Sequence, residues 1–205
     1  MDPISRPPTT AGRTDRRPRR QRRYGSLLAS VAVLLAVAVL AVWLLQAFVI
    51  QPFSVPGGTM APGIEAGDRI LIVKLGILEA PIRGGGIVVF RPPKSMACTV
   101  AGGREGDLVL RVVALPGQAI WSVSNTIFVD GQPLRERGWY DPRFGPVGST
   151  PIRRTTLAAD QYFVIGDNRS DACDSRVFGP ISKSSIVGEA IAIVLRHGHV
   201  FFRTL

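Results

Sequence analysis

"VPGGTMAPGIEAGDRILIVK", Val55–Lys74, decides how the rest of the chain is read. Its second half, Arg69–Lys74, is a short β-branched run bounded by Gly67 and Asp68, the pattern of a strand. Its first half is rich in Pro and Gly and carries a single hydroxyl, Thr59. The stretch reads as a strand and a loop that present a nucleophile, with threonine rather than serine in the slot. What surrounds that slot settles what the threonine can do.

Upstream lies "GSLLASVAVLLAVAVLAVWLLQAFVI", Gly25–Ile50, uncharged, with Ser26, Ser30 and Gln46 as its polar side chains. A bilayer core of about 30 Å takes about 20 apolar residues as a helix, and a cleaved signal peptide has an apolar region of only ~7–15. The run therefore reads as an uncleaved transmembrane anchor, residues 25–50. Before it, residues 1–24 carry Arg6, Arg13, Arg16, Arg17, Arg19, Arg20, Arg22 and Arg23 against Asp2 and Asp15, 8 − 2 = +6 of a net +10. A tail this polar buries too little to fold alone. As a basic arm it would suit nucleic acid; as the flank of an anchor it places the N-terminus in the cytoplasm. The anchor favours the second reading, with the lipid bilayer as partner and no nucleic acid.

Downstream, residues 51–205 are long enough to bury one core. "RILIVK", "GIVVFR" (Gly86–Arg91), "DLVLRVVAL" (Asp107–Leu115) and "QYFVIGD" (Gln161–Asp167) are short strand-like runs. Asp130-Gly131 between two short runs signals a hairpin, and "SIVGEAIAIVLRHGHVFFR" gives a strand, a Gly turn and a last strand. The fold class is mostly β: a barrel-like antiparallel domain on one N-terminal helix.

Four stretches in order resemble the type I signal peptidases, membrane-anchored serine endopeptidases that release signal peptides outside the cytoplasmic membrane. Val55–Lys74 resembles the family's P-S-G-S-M-x-P-T-L and the G-D strand after it. "RGGGIVVFRPP" resembles R-G-D-I-V-V-F, and "LVLRVVALPGQ" resembles the lysine-bearing K-R-V stretch ending in L-P-G-D. "GDNRSDACDSRVFGPISKSSIVGEA" resembles G-D-N-R-x-x-S-x-D-S-R and its following V-G-x-A strand. The resemblance implies a signal-peptidase-like β domain, exported preproteins as substrates, and no cofactor or metal.

It also implies a Ser/Lys dyad, because a hydroxyl needs an adjacent base and lysine serves as one only when burial lowers its pKa. Carried over by position, the nucleophile slot is Thr59 and the general-base slot is Leu110, which cannot accept a proton. The serine that orients the lysine falls on Ala172, the oxyanion-hole serine on Gly57, and the aspartate of R-G-D on Gly86. Asp174 and Arg176 would hold the active-site loop. Phe53, Val55 and Pro56 belong to the segment beside which a peptide adds as a strand; "FSVPGG", Phe53–Gly58, reads as that strand. Lys74 falls on a lysine outside the dyad, and His197 and His199 fall in a terminal turn facing solvent or headgroups.

Asp167, Asp171 and Asp174 lack calcium-loop spacing, and loop-closing turns account for them. Cys98 and Cys173 are the two cysteines; free thiols or a disulfide are both open, and an oxidising compartment favours the disulfide. Three functions follow as expectations. They are a weak or inactive copy of the peptidase, a non-catalytic homologue binding signal peptides or an active paralogue, and a structural membrane-anchored interaction module.

Overall fold

In the computed structural model the described residues are 19–74, 81–93, 96, 98, 106–124, 126–136, 138, 139, 141, 143 and 150–205, with backbone alone for 19–27 and 45–48. The chain divides into two compact units, Met1–Trp43 and Leu44–Leu205. Helix α1 (Arg19–Phe48) runs through that division. It begins inside the segment expected as an unfolded tail and ends just short of the expected boundary at Ile50. Arginine is a good helix former, so the basic flank extends the helix. The remainder of that tail, residues 1–18, lies outside the described residues. Among the described residues no helix is long and apolar enough to cross a membrane. The side chains described in α1 span Leu28–Leu44, 44 − 27 = 17 residues, against the about 20 that a bilayer takes. The anchor therefore rests on the sequence.

The second unit is built from antiparallel strands. In chain order they are β1 (Ile50–Ser54), β2 (Arg69–Lys74), β3 (Ile87–Phe90), β4 (Leu108–Ala114), β5 (Ala119–Val123) and β6 (Thr126–Val129). There follow β7 (Gln132–Pro133), β8 (Thr155–Thr156), β9 (Gln161–Ile165), β10 (Ile181–Ser182), β11 (Ile186–Arg196) and β12 (His199–Thr204), with a short helix α2 (Ser175–Phe178) between β9 and β10. Eight strands form a curled sheet in the order β1-β2-β11-β3-β4-β9-β10 with β12 on β11, and four form a second sheet, β7-β6-β5-β8. The mostly β class is thus what the chain adopts.

The strand-like runs fall on β2, β3, β4 and β9. Both expected hairpin turns form with left-handed residues: Asp130 and Gly131 at φ 50° and 82°, His197 and Gly198 at φ 50° and 80°. Paired positive φ values match the right-handed twist of the strands they join. The strand expected over Phe53–Gly58 is displaced. β1 ends at Ser54, and Val55 adds two further ladder bonds, its N–H to Asp68 O and its carbonyl from Gly67 N–H. Pro56 has no N–H to continue the ladder.

Strand β4 lies between β3 and β9 and is buried at six of its seven residues. It feeds both cores. Leu108, Val109, Leu110 and Val112 join Met60, Ile64, Ile70, Val88 and Phe90, while Val113 and Ala114 join Ile120, Ile127, Phe163 and Ile165. Gly86 lies against the tip of a glutamate side chain. A β-carbon there would stand 2.5 Å from Glu189 Oε1, on β11. Burial pushes the Glu189 carboxyl up from its ordinary value of 4.5, and Arg83 only partly opposes this. A raised carboxyl contributes stability below its unfolded pKa and loses it as pH rises through the folded one. Glu189→Gln should therefore gain stability relative to the parent as pH rises from about 4 to about 7, read by denaturant melts across that range; a flat difference would remove this account.

Cys98 and Cys173 are bridged, their Cα atoms 6.2 Å apart and 75 residues apart in sequence. Closing so long a loop stabilises by about 4 kcal/mol in the chain-entropy model. The Cys98→Ala, Cys173→Ala variant should melt at lower denaturant, and non-reduced protein should offer no thiol to maleimide.

Candidate active site

The loop between β1 and β2 presents Thr59, half-buried. Its hydroxyl donates to the Val109 carbonyl at 3.5 Å, a long contact for an O–H donor. Val109 precedes Leu110 on β4, so the loop packs its Thr59 hydroxyl against the β4 main chain one residue before the expected base slot. Leu110 is 1% exposed, packs in the larger core and faces Val88 across the ladder. It has no lone pair. Among the described residues the group that the Thr59 hydroxyl meets is a main-chain carbonyl, which is no base near neutral pH.

The turn after β9 supplies the third position. A β-carbon on Gly166 would collide with the Ala172 methyl and stand 2.7 Å from Thr59 O, so Thr59, Gly166 and Ala172 meet at one point. Asn168 fastens the two loops, its N–H donating to Thr59 O at 3.0 Å and its Nδ2 to Gly58 O at 3.1 Å. Gly57, half-buried, brings no side-chain donor to the expected oxyanion position.

Asp174 caps α2. Its fully buried carboxylate accepts from Gly166 N–H at 3.1 Å, Arg176 N–H at 3.0 Å and the Arg176 guanidinium at 2.8 Å, and Arg176 also donates to Arg169 O. A carboxylate that accepts several N–H bonds holds its loop in one geometry. Of the peptide-binding candidates, Phe53 is half-buried, Val55 is buried and Pro56 is exposed; β1, which holds Phe53 and leads into the other two, ends the sheet order.

Sequence reasoning passed over the contacts of five basic residues. Arg111 donates from Nε and Nη2 to both Asp167 oxygens, at 2.8 and 2.7 Å, and from Nη1 to Gly85 O. Burial raises the Asp167 carboxyl, and Arg111 pulls it down less strongly. Arg169 pairs with Glu136 at 2.6 Å. Arg196 reaches Asp68 and Gly63 O, and Arg203 reaches Gly63 O at 2.7 Å. His197, exposed as expected, pairs with Glu65 at 3.0 Å. The signal that could have found the first was Arg111 itself, the one charge in an apolar strand. Lys74 closes β2 at the end away from the Thr59 loop.

The model of the family "Signal peptidase, peptidase S26" matches residues 28–195. A probable signal peptidase I-1 of Synechocystis is 36% identical over 159 residues, 77% of this chain and 78% of that one. The signal peptidase I of Mycobacterium tuberculosis is 30% identical, over 83% of this chain and 69% of its own. A signal peptidase I crystal structure from Enterococcus faecalis superposes at a TM-score of 0.39 and 22% identity, over 55% of this chain and 97% of that one. The chain belongs to the signal peptidase family, whose members remove signal peptides.

Asp167→Asn should be strongly destabilising, since it leaves the nearly buried Arg111 without its counter-charge. Breaking one side of such a pair costs about 3–5 kcal/mol. A chemical-denaturation midpoint within error of the parent would contradict the bidentate geometry.

Proposed function

We propose that this chain is a signal-peptide-binding member of its family whose turnover is weak or absent. The observation that carries the reading is Leu110, buried to 1% exposure in the base slot, with the Thr59 hydroxyl facing no nearer group than the Val109 carbonyl at 3.5 Å among the described residues. A hydroxyl is activated by a positioned base, and leucine supplies none. Around this gap the loops that would flank a bound peptide keep their hydrogen bonds, which supports binding over a purely structural role. Among the described residues no strand pairs with the outer edge of β1, which offers main-chain groups to an extended peptide.

The same reading makes the protein single-pass in the cytoplasmic membrane. The uncharged run Gly25–Ile50 is long enough for a bilayer, and the arginines before it favour a cytoplasmic N-terminus. The β unit then lies outside, where preproteins emerge and where an active paralogue would act. A weakly active peptidase using Thr59 is the second reading, favoured by the hydroxyl and the Thr59 N–H that remain.

Rebuilding the site separates the two. Thr59→Ser alone faces Leu110 and should stay at background. Leu110→Lys alone places an amine in an apolar pocket, where it sits neutral or unsettles the fold. Groups that act as a unit are strongly non-additive, so Thr59→Ser, Leu110→Lys and Ala172→Ser together should cleave a preprotein after a small-x-small site. Adding Gly57→Ser returns an oxyanion donor, about 2.7–4 kcal/mol of transition-state stabilisation. The assay is preprotein cleavage by detergent-solubilised protein, with Thr59→Ala as control. Cleavage by the natural protein that Thr59→Ala abolishes would establish the second reading; a folded quadruple variant that never cleaves would count against a preserved groove.

A further inference from the structure

The turn from Gly166 to Asp174 carries one acid that the fold does not use. Asp171 is exposed, and its N–H donates to Asn168 O at 3.3 Å, which ties the residue into the turn. A β-carbon placed on Gly58 would stand 3.9 Å from Asp171 Oδ2. The carboxylate therefore stands beside the residue just before Thr59, on the side that Asn168 clamps. Among the described residues no hydrogen bond or ion pair reaches that carboxylate. Its neighbours are committed elsewhere: Asp167 to Arg111, Asp174 to Arg176, Arg169 to Glu136 and Gly166 O, and Arg176 also to Arg169 O.

An unbalanced negative charge beside the nucleophile slot has a definite effect. It raises the energy of an oxyanion formed near the Thr59 N–H, where Gly57 supplies no compensating hydroxyl, because nearby like charges repel. It lowers the energy of a cation in the same place. We propose that Asp171 is a specificity-determining residue that selects peptides carrying a lysine or arginine side chain next to the Thr59 slot. The assignment rests on the reading that the groove binds peptide. Exposed ion pairs shift affinity by roughly two- to five-fold at low salt and by less as salt screens them.

The test uses full-length protein in detergent and two fluorescein-labelled signal peptides. They are identical except for Lys or Gln immediately after the small-x-small site. By anisotropy, the Lys peptide should bind roughly two- to five-fold tighter at about 50 mM salt, the margin closing at about 500 mM. Asp171→Asn should remove the margin and leave the Gln peptide unchanged, while Asp171→Glu should keep it. Equal binding of both peptides by the natural protein would overturn the assignment while leaving peptide binding intact. So would an Asp171→Asn variant that weakens both equally, the mark of a structural role. If neither peptide binds, the peptide-binding reading fails and the assignment falls with it.

Discussion

The approach of the Thr59 carbonyl and the Ala172 methyl to Gly166 leaves no room for a side chain there, and the site is built around that constraint. Two loops more than a hundred residues apart in sequence meet at this point. Asn168 closes the contact from one side by donating to Gly58 O and Thr59 O. Asp174 closes it from the other by accepting the Gly166 N–H. Each of these bonds involves main-chain atoms of the Thr59 loop or of Gly166, so the loop's path is indifferent to which side chain position 59 carries. Serine or threonine is held alike. The methyl of threonine restricts its rotamers, and its hydroxyl takes the carbonyl within reach.

The ion pairs that brace the region include none of the five positions, Gly57, Thr59, Gly86, Leu110 and Ala172, that differ from the family pattern. Arg111–Asp167, Arg169–Glu136, Arg176–Asp174 and Arg196–Asp68 engage neither Leu110 nor Ala172. A catalytic lysine at position 110 would have to sit neutral among Met60, Val88 and their neighbours, against a desolvation penalty. Leucine there is simply buried, a gain of about 1.5–3 kcal/mol over leaving it exposed. Once the amine is gone, an orienting hydroxyl at position 172 would be a polar group with no partner to turn to, so alanine is the quieter choice. Sites are where stability and chemistry conflict, and leucine at 110 and alanine at 172 are the residues that favour stability.

Most of the fold was legible because its signals are local. β2 follows from Arg69–Lys74, and the His197-Gly198 and Asp130-Gly131 turns announce their hairpins by residue type alone. β1 was placed too late because Phe53 and Val55 look strand-like, while Pro56, which stops the ladder, outweighs them. The position of Leu110 was legible by resemblance. The partners of Arg111, Arg196 and Arg203 were not, since each reaches an acceptor 26 to 140 residues away and no local pattern encodes that. Asp171 was visible as a residue and opaque as a group, because its meaning comes from lying beside Gly58.

These long-range arginines give the loop a shape that does not rest on the residues in the nucleophile and base slots. The segment from Thr59 to Gly67 is held at its start by Asn168 and in its middle at Gly63 O, which takes both Arg196 and Arg203 from the two strands of the last hairpin. At its end, Asp68 is fully buried, accepting from Glu65 N–H and from Arg196. Removing a catalytic amine from β4 breaks none of these bonds. Had the loop depended on a lysine to hold the hydroxyl, loss of the base would have released it. Instead its anchors belong to the last hairpin and to the turn after β9, and the loop between β1 and β2 keeps a defined form.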